Sequence, residues 1–260
     1  MNYKIDNIPL ADYGLQPGWI NKKSGAFALE GIFNLPERTG ETFYQWPTGI
    51  EPFVDADDIV LGSRDLILTT VCKADSLTAF RYRLNTVYTA LNREAVVSCT
   101  ELGNFKVEVK KTTVRHFNNG WGEIVFHLVE ENPVLLPAVL PEPSGAASGI
   151  DGYGWAELGF VVSSLAGRYD LPEANPVGRD YKTLALSATL KGTTFVDFTT
   201  RVARLQKLFT LPGLRTVRYF DGTGVACFAA NGFTIKKIKA TAMGVWGDFE
   251  IKLIVSNENI

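Results

Sequence analysis

Twice along this 260-residue chain the spacing of apolar residues switches from a strand-like pattern to the three-and-four spacing of an amphipathic helix, and this switch restricts the fold more than any other feature. In residues 75–91, Leu77, Phe80, Leu84, Val87, Tyr88 and Leu91 recur on one helical face, behind an Asp75 or Ser76 that can cap the first turn. Residues 194–209 repeat that face. A single offset of 118 places Phe80 on Phe198, Leu84 on Val202, Val87 on Leu205 and Leu91 on Phe209. A lone helix among strands must bury its apolar face on a sheet, so these eight residues are the expected core of the two repeats.

Both helices lie between runs rich in branched and apolar residues and punctuated by glycine. Residues 26–33 and 59–71 precede the first helix, and 95–99, 104–112 and 122–130 follow it, with Asn118-Asn119-Gly120 marking a tight turn. Residues 131–152 then carry Pro133, Pro137, Pro141 and Pro143 followed by small residues and glycines, a composition that neither a helix nor a central strand accepts. This reads as a linker, stiff in its first half and flexible in its second. The expected division is a first module over residues 1–132, a linker over 133–152 and a second module over 153–260.

Further landmarks recur in the same order, the pattern of an internal duplication. Asp12-Tyr13-Gly14-Leu15 is echoed by Gly152-Tyr153-Gly154-Trp155, and Leu35-Pro36-Glu37 by Leu171-Pro172-Glu173, where proline would end a strand. Trp121-Gly122-Glu123 matches Trp246-Gly247-Asp248 at an offset of 125, and Trp121 and Trp246 are expected to close one end of each core. The growth in offset is assigned to a longer hairpin region over residues 218–233, where Asp221-Gly222-Thr223-Gly224 marks a turn. The expected fold is mainly β in an α+β arrangement: two similar β-sandwich or barrel modules, each with one amphipathic helix.

With 46% hydrophobic residues the chain has ample material for packed cores, while a net charge of -2 gives no positive field to draw in nucleic acid or an anionic membrane. Neither sequence-specific nucleic acid nor membrane is expected as a partner. The N-terminus lacks a signal-peptide apolar region and no window reaches spanning length, so a soluble protein beginning near Met1 is expected. Cys72, Cys99 and Cys227 are odd in number and widely spaced, which suits buried thiols in a reducing compartment better than disulfides or a zinc site.

Motifs for chemistry are sparse. His116 and His127 both lie in the first half, no Gly-x-Ser-x-Gly elbow accompanies them, and neither a phosphate loop nor a dinucleotide fingerprint is present. The acidic run Glu51, Asp55, Asp57, Asp58 lacks the glycine and distal glutamate of an EF-hand and has no counterpart in the second half, so it reads as a solvated loop. No catalytic, cofactor-binding or metal residues are assigned, and the chain is not expected to be an enzyme.

Strands, one helix and more strands, used twice, resemble the tail-tube fold of long-tailed phages, shared by tube, distal-tail and baseplate-hub proteins. The helices at residues 75–91 and 194–209, each between strand groups, carry the resemblance, which covers nearly all of the chain except the linker. It implies a phage or prophage structural protein of the virion tail, assembled in the bacterial host cytoplasm, whose partners are other copies of itself in a trimer or hexamer ring and other tail proteins. The alternative is a duplicated β-sandwich that binds carbohydrate or another cell-surface ligand through exposed aromatics such as Trp19, Trp46 and Trp155, which lie in loop-like segments where binding residues gather.

Overall fold

The structure, a computed structural model, describes residues 2–18, 28–46, 49–118, 120–170 and 181–256. It is mainly β. In chain order the elements are β1 (Tyr3–Ile5), β2 (Ile8–Pro9), β3 (Leu15–Pro17), β4 (Leu29–Glu30), β5 (Phe43–Trp46), β6 (Gly49–Pro52), β7 (Arg64–Lys73), α1 (Leu77–Leu91), β8 (Ala95–Cys99), β9 (Gly103–Asn118) and β10 (Trp121–Glu130). The second half continues with β11 (Gly149–Ile150), β12 (Tyr153–Gly154), β13 (Phe160–Asp170), β14 (Tyr181–Gly192), α2 (Phe195–Thr210), β15 (Arg215–Arg218), β16 (Gly224–Phe228), β17 (Thr234–Thr241) and β18 (Gly244–Val255).

The chain divides into two units, and not where composition placed the boundaries. Unit 1 comprises Met1–Ile32 and Ser63–Val134, and unit 2 comprises Phe33–Gly62 and Leu135–Ile260. The first boundary near residue 132 lies beside Val134, but a 30-residue arm from within the expected first module belongs to unit 2. Its apolar residues explain why. Ile50 packs with Phe228, Ala230 and Ile254, flanked by Phe43, Val54, Tyr181 and Leu214. Leu35 pairs with Phe233 through backbone bonds of 3.0 and 3.1 Å. A Cβ on Gly232 would stand 1.9 Å from the Leu35 oxygen, so only glycine admits the arm at that point.

The expected linker also differs. Gly149–Ile150 is a strand of the second sheet, paired with β15, and the preceding residues are fastened to unit 2. The Gly145 and Ala146 amides both donate to the Gly152 oxygen at 3.0 Å, and Tyr153 Oη donates to the Pro141 oxygen at 2.8 Å. Small residues here permit tight turns and close backbone approach; they do not leave the segment a free tether.

Each unit holds an eight-stranded antiparallel sheet, and the two sheets follow one path. Unit 1 runs β2-β1-β8-β9-β10-β7-β3, with β4 added beside β7; unit 2 runs β12-β11-β15-β16-β18-β14-β13, with β17 added beside β18. The helix follows the corresponding strand in each, α1 after β7 and α2 after β14. Ladder registers agree residue by residue: Trp121 faces Lys73 and Phe126 faces Leu68, as Trp246 faces Lys191 and Ile251 faces Leu186. Both opening hairpins turn on an aspartate with positive φ, Asp6 at 49° and Asp151 at 50°. The Asp6 carboxylate accepts from the Val96 amide and pairs with Arg93, while that of Asp151 accepts from the Thr216 amide and pairs with Arg215.

This register revises one of the sequence echoes and the source of the offset growth. Leu15 faces Cys72 as Phe160 faces Leu190, so Gly14-Leu15 corresponds to Gly159-Phe160 and not to Gly154-Trp155. Leu35 and Pro36 belong to the arm of unit 2, and their expected counterparts Leu171 and Pro172 lie outside the described residues. The growth in offset comes mainly from the β17–β18 hairpin, which runs two pairs past the Lys239–Trp246 pair, Ala240 with Val245 and Thr241 with Gly244. The region of residues 218–233 contributes less.

The Trp-Gly landmark marks a bulge. In unit 1 the register slips between Trp121 and Gly122, and in unit 2 it slips between Lys236 and Lys239, opposite Asp248 and Trp246. An added Cβ would lie 2.9 Å from the Arg115 oxygen at Gly122 and 3.3 Å from the Lys236 oxygen at Gly247. At Gly122 the crowding comes first from a carbonyl of the bulged partner strand, whereas at Gly247 the nearest atoms are the Ile235 and Ile238 side chains, at 2.7 and 3.2 Å.

Both helices are capped at the residue before their first turn. Ser76 Oγ accepts from the Ala79 amide at 3.2 Å, and Thr194 Oγ1 accepts from the Asp197 amide at 3.1 Å. Phe80, Val87 and Leu91 are buried on α1, with Leu84 half-buried; Phe198, Val202, Leu205 and Phe209 are buried on α2. On α2, Ala203, Gln206 and Leu208 are buried as well, and Gln206 meets the arm. Gln206 Nε2 donates to the Phe33 and Asn34 oxygens at 3.4 and 3.3 Å, and the Phe33 ring meets Phe198 edge-on at 5.4 Å. Tyr88, expected on the same face of α1, is exposed, and Trp121 and Trp246 are half-buried at matching positions.

Asp197 ties the start of α2 together. Burial alone would raise its carboxyl, but the Thr193 amide at 2.8 Å and the Arg201 guanidinium at 2.9 Å hold it below the ordinary 3.8. A depressed carboxyl contributes stability above its unfolded value and loses it as pH falls through the folded one. Asp197→Asn is therefore expected to cost about 1 kcal/mol in urea unfolding at pH 7. The difference from the parent should shrink as the titration is repeated at pH values falling through and below the ordinary carboxylate range; a difference independent of pH would assign the effect to packing.

Candidate functional site

The features left without a use inside either unit are sheet edges. β13 pairs with β14 from Phe160 to Asp170, and among the described residues nothing pairs with its other side. Val161, Ser163, Ser164, Ala166 and Gly167 are exposed along it, and residues 160–167 carry no charge. Long uncharged edges invite pairing with another chain. Two other edges are guarded. β17 presents Lys236, Lys237 and Lys239, with a left-handed Lys237 at φ 51° in its bulge. β9 pairs with β8 only over Gly103–Val107, and its remaining length, held on one side by β10, carries Lys110, Lys111 and Arg115. Charges at an edge oppose indiscriminate strand addition, and it is these, not the bulge that β13 also has between Val162 and Ser164, that set β17 and β9 apart.

Beside β13 lies an open groove of about 580 Å³ between Val162–Leu165 and the turn that bears Tyr219, Phe220 and Asp221. The Phe220 ring is 71% exposed, although it reaches Trp155 at 6.4 Å. Trp155 itself is 7% exposed and packs on Phe160 at 6.4 Å, so it is a core residue and not an exposed platform. Trp19 lies outside the described residues. Trp46, on the β5–β6 hairpin, is half exposed, lies against Tyr44 with ring centres 4.5 Å apart and planes tilted by 55°, and donates through Nε1 to Glu51 at 2.7 Å. Of these three tryptophans the two described differ: Trp46 faces solvent and Trp155 is core, so these two do not form a common exposed platform.

Glu51 is turned to that tryptophan, and the rest of the acidic run forms a reciprocal cap. Asp55 opens a short 3-10 turn at Ala56–Asp58, and its amide donates to Asp58 Oδ2 at 3.1 Å. Among the described residues no group of three His, Cys, Asp or Glu is placed to hold a metal ion. His127 is half-buried in the ladder between Ile67 and Lys111, and His116 faces Gly122. The three cysteines are free and buried; burial pushes all their thiols up, Cys227 to about 12, which suppresses thiolate formation. No helix among the described residues is long and apolar enough to cross a membrane.

Periodicity gave no hint of the most completely buried polar pair. Arg64 and Glu130, 2% and 1% exposed, end the β7–β10 ladder, and both Nε and Nη2 of the arginine donate to Glu130 Oε2, at 2.9 and 2.6 Å. A charged residue at an inward position of each apolar strand was the available signal.

No family model matches the sequence, and no curated protein matches it. Among solved structures, the chain is similar to the SPP1 Dit (gp 19.1) protein, described as a paradigm of the hub adsorption apparatus in phages that infect Gram-positive hosts. The two share 13% identity over 96% of this chain and 98% of that one, with a TM-score of 0.33.

Proposed function

We propose that this chain is a structural subunit of a phage or prophage tail, of the distal-tail or baseplate-hub type, which works by assembling into a ring and not by catalysis. The observation that carries the reading is that two units follow one strand path, each with a single capped helix, while β13 keeps open an edge that is uncharged over residues 160–167 and bulged between Val162 and Ser164. Agreement of register, bulge and turn aspartate supports descent of the two units from a duplicated module. Two modules per chain suit a trimer that mimics a sixfold ring, and one module per ring position suits a hexamer. In either case the edges would be satisfied by neighbouring subunits, other tail proteins would bind the ring faces, and assembly would take place in the host cytoplasm.

Light scattering after gel filtration, with negative-stain imaging, tests this directly. A ring of three or six copies is the expected result. A monomer at tens of micromolar that binds glycans would overturn it in favour of the second reading, a surface-ligand binder, for which the exposed Tyr44–Trp46 pair beside Glu51 is the supporting feature.

A further inference from the structure

Arg64 does more than neutralise Glu130. Its Nη1 donates to the Ile32 oxygen at 3.0 Å and its Nη2 to the Val134 oxygen at 3.2 Å, while the Val134 amide donates to Glu130 Oε1 at 3.4 Å. Ile32 and Val134 are the last residues of unit 1 before the chain leaves it, and Arg64 stands one residue past Ser63, where the chain returns. One buried guanidinium therefore touches all three points at which the chain crosses between the units. Its carbon lies 5.7 Å from the centre of the Phe105 ring, which closes one side of the site.

The second sheet has an arginine–carboxylate pair elsewhere, Arg215 with Asp151, but not at the matching ladder position. One step beyond its Thr183–Ile254 pair the ladder position corresponding to Arg64 and Glu130 holds Lys182 and Val255. The shared framework does not require a buried ion pair there, and in unit 1 the pair stands where the chain leaves twice and returns once.

We propose that the Arg64–Glu130 pair is a junction clamp, a conformational device that binds the three crossing segments to unit 1 and makes the crossings open only when unit 1 itself unfolds. Retention of a buried ion pair for such a role is consistent with its modest worth to stability, since apolar pairs of similar volume replace buried ion pairs at little cost. The carbonyl bonds to Ile32 and Val134 are what an apolar replacement cannot supply.

The test uses the full chain carrying Arg64→Met and Glu130→Leu together, which fills the volume without the donors. The expected result is a circular dichroism spectrum like the parent's, with limited proteolysis at residues 32–36, 62–64 and 132–136 at least tenfold faster. Cleavage at the parent rate in a folded double variant overturns the clamp. Hydrogen exchange on the unmodified chain decides the matter independently of whether that variant folds. The Val134 amide should exchange as slowly as the central amides of β7 and β10, within about threefold; exchange a hundredfold faster would mean that the crossings open locally, and the clamp would be refuted.

Discussion

A fragment of residues 135–260 is expected to show no cooperative unfolding transition, although it contains every strand of the second sheet. The arm Phe33–Gly62 supplies Phe33, Leu35 and Ile50 to that unit, each under 9% exposed. Removing them uncovers apolar surface worth roughly 1.5–3 kcal/mol per side chain, a sum of the same order as the whole stability of an ordinary domain. The loss extends to the partners left behind. Phe228 and Ile254 lose Ile50, Phe198 loses the Phe33 ring, and the Ile235 amide loses Asn34 Oδ1 at 2.9 Å. Fusing residues 33–62 to the fragment through a flexible linker should restore a sigmoidal urea transition. A cooperative transition in the bare fragment would show that the arm is a covering and not a part of the core.

The second large effect is expected at Phe198→Ala. Its side chain is fully buried, lies on the α2 stripe above the sheet and also receives Phe33 from the arm. Truncation should cost about 3–5 kcal/mol in urea unfolding of the full chain. Val196→Ala, two residues away but 71% exposed, should stay within about 0.5 kcal/mol. A Phe198→Ala cost below ~1.5 kcal/mol would mean that the site collapses around the cavity, and that arm and sheet are not jointly braced by this ring.

The helices were legible because a 3.6-residue period concentrates apolar side chains on one stripe whatever the neighbours do, and Ser76 and Thr194 declare the caps. The Trp-Gly pairs were legible as landmarks, but their meaning as bulge positions was not, since a slip is a relation between two strands and the sequence states only one. The Asp6-Asn7 and Asp151-Gly152 turns carried a recognisable hairpin signal that passed unused, and following it would have aligned the opening hairpins correctly. Residues 33–62 could not be assigned by composition. Leu35, Phe43 and Ile50 would suit the core of either unit, and nothing local records which partner surface an arm chooses. The tryptophan platform failed at Trp155 for a related reason: a large aromatic in a loop-like segment is as well suited to closing a core as to facing solvent.

The returning arm also imposes an order on synthesis. A ribosome that has made Gly62 still has about 190 residues to add before β18 is complete, and at roughly 5–20 residues per second that takes on the order of 10–40 s. For that interval Phe33, Leu35, Phe43 and Ile50 have no finished surface to join, while unit 1 can close around them as soon as Val134 has emerged. The nascent chain thus carries an apolar loop, Phe33–Gly62, flanked on both sides by segments of a unit that can be complete before the loop's own partners exist.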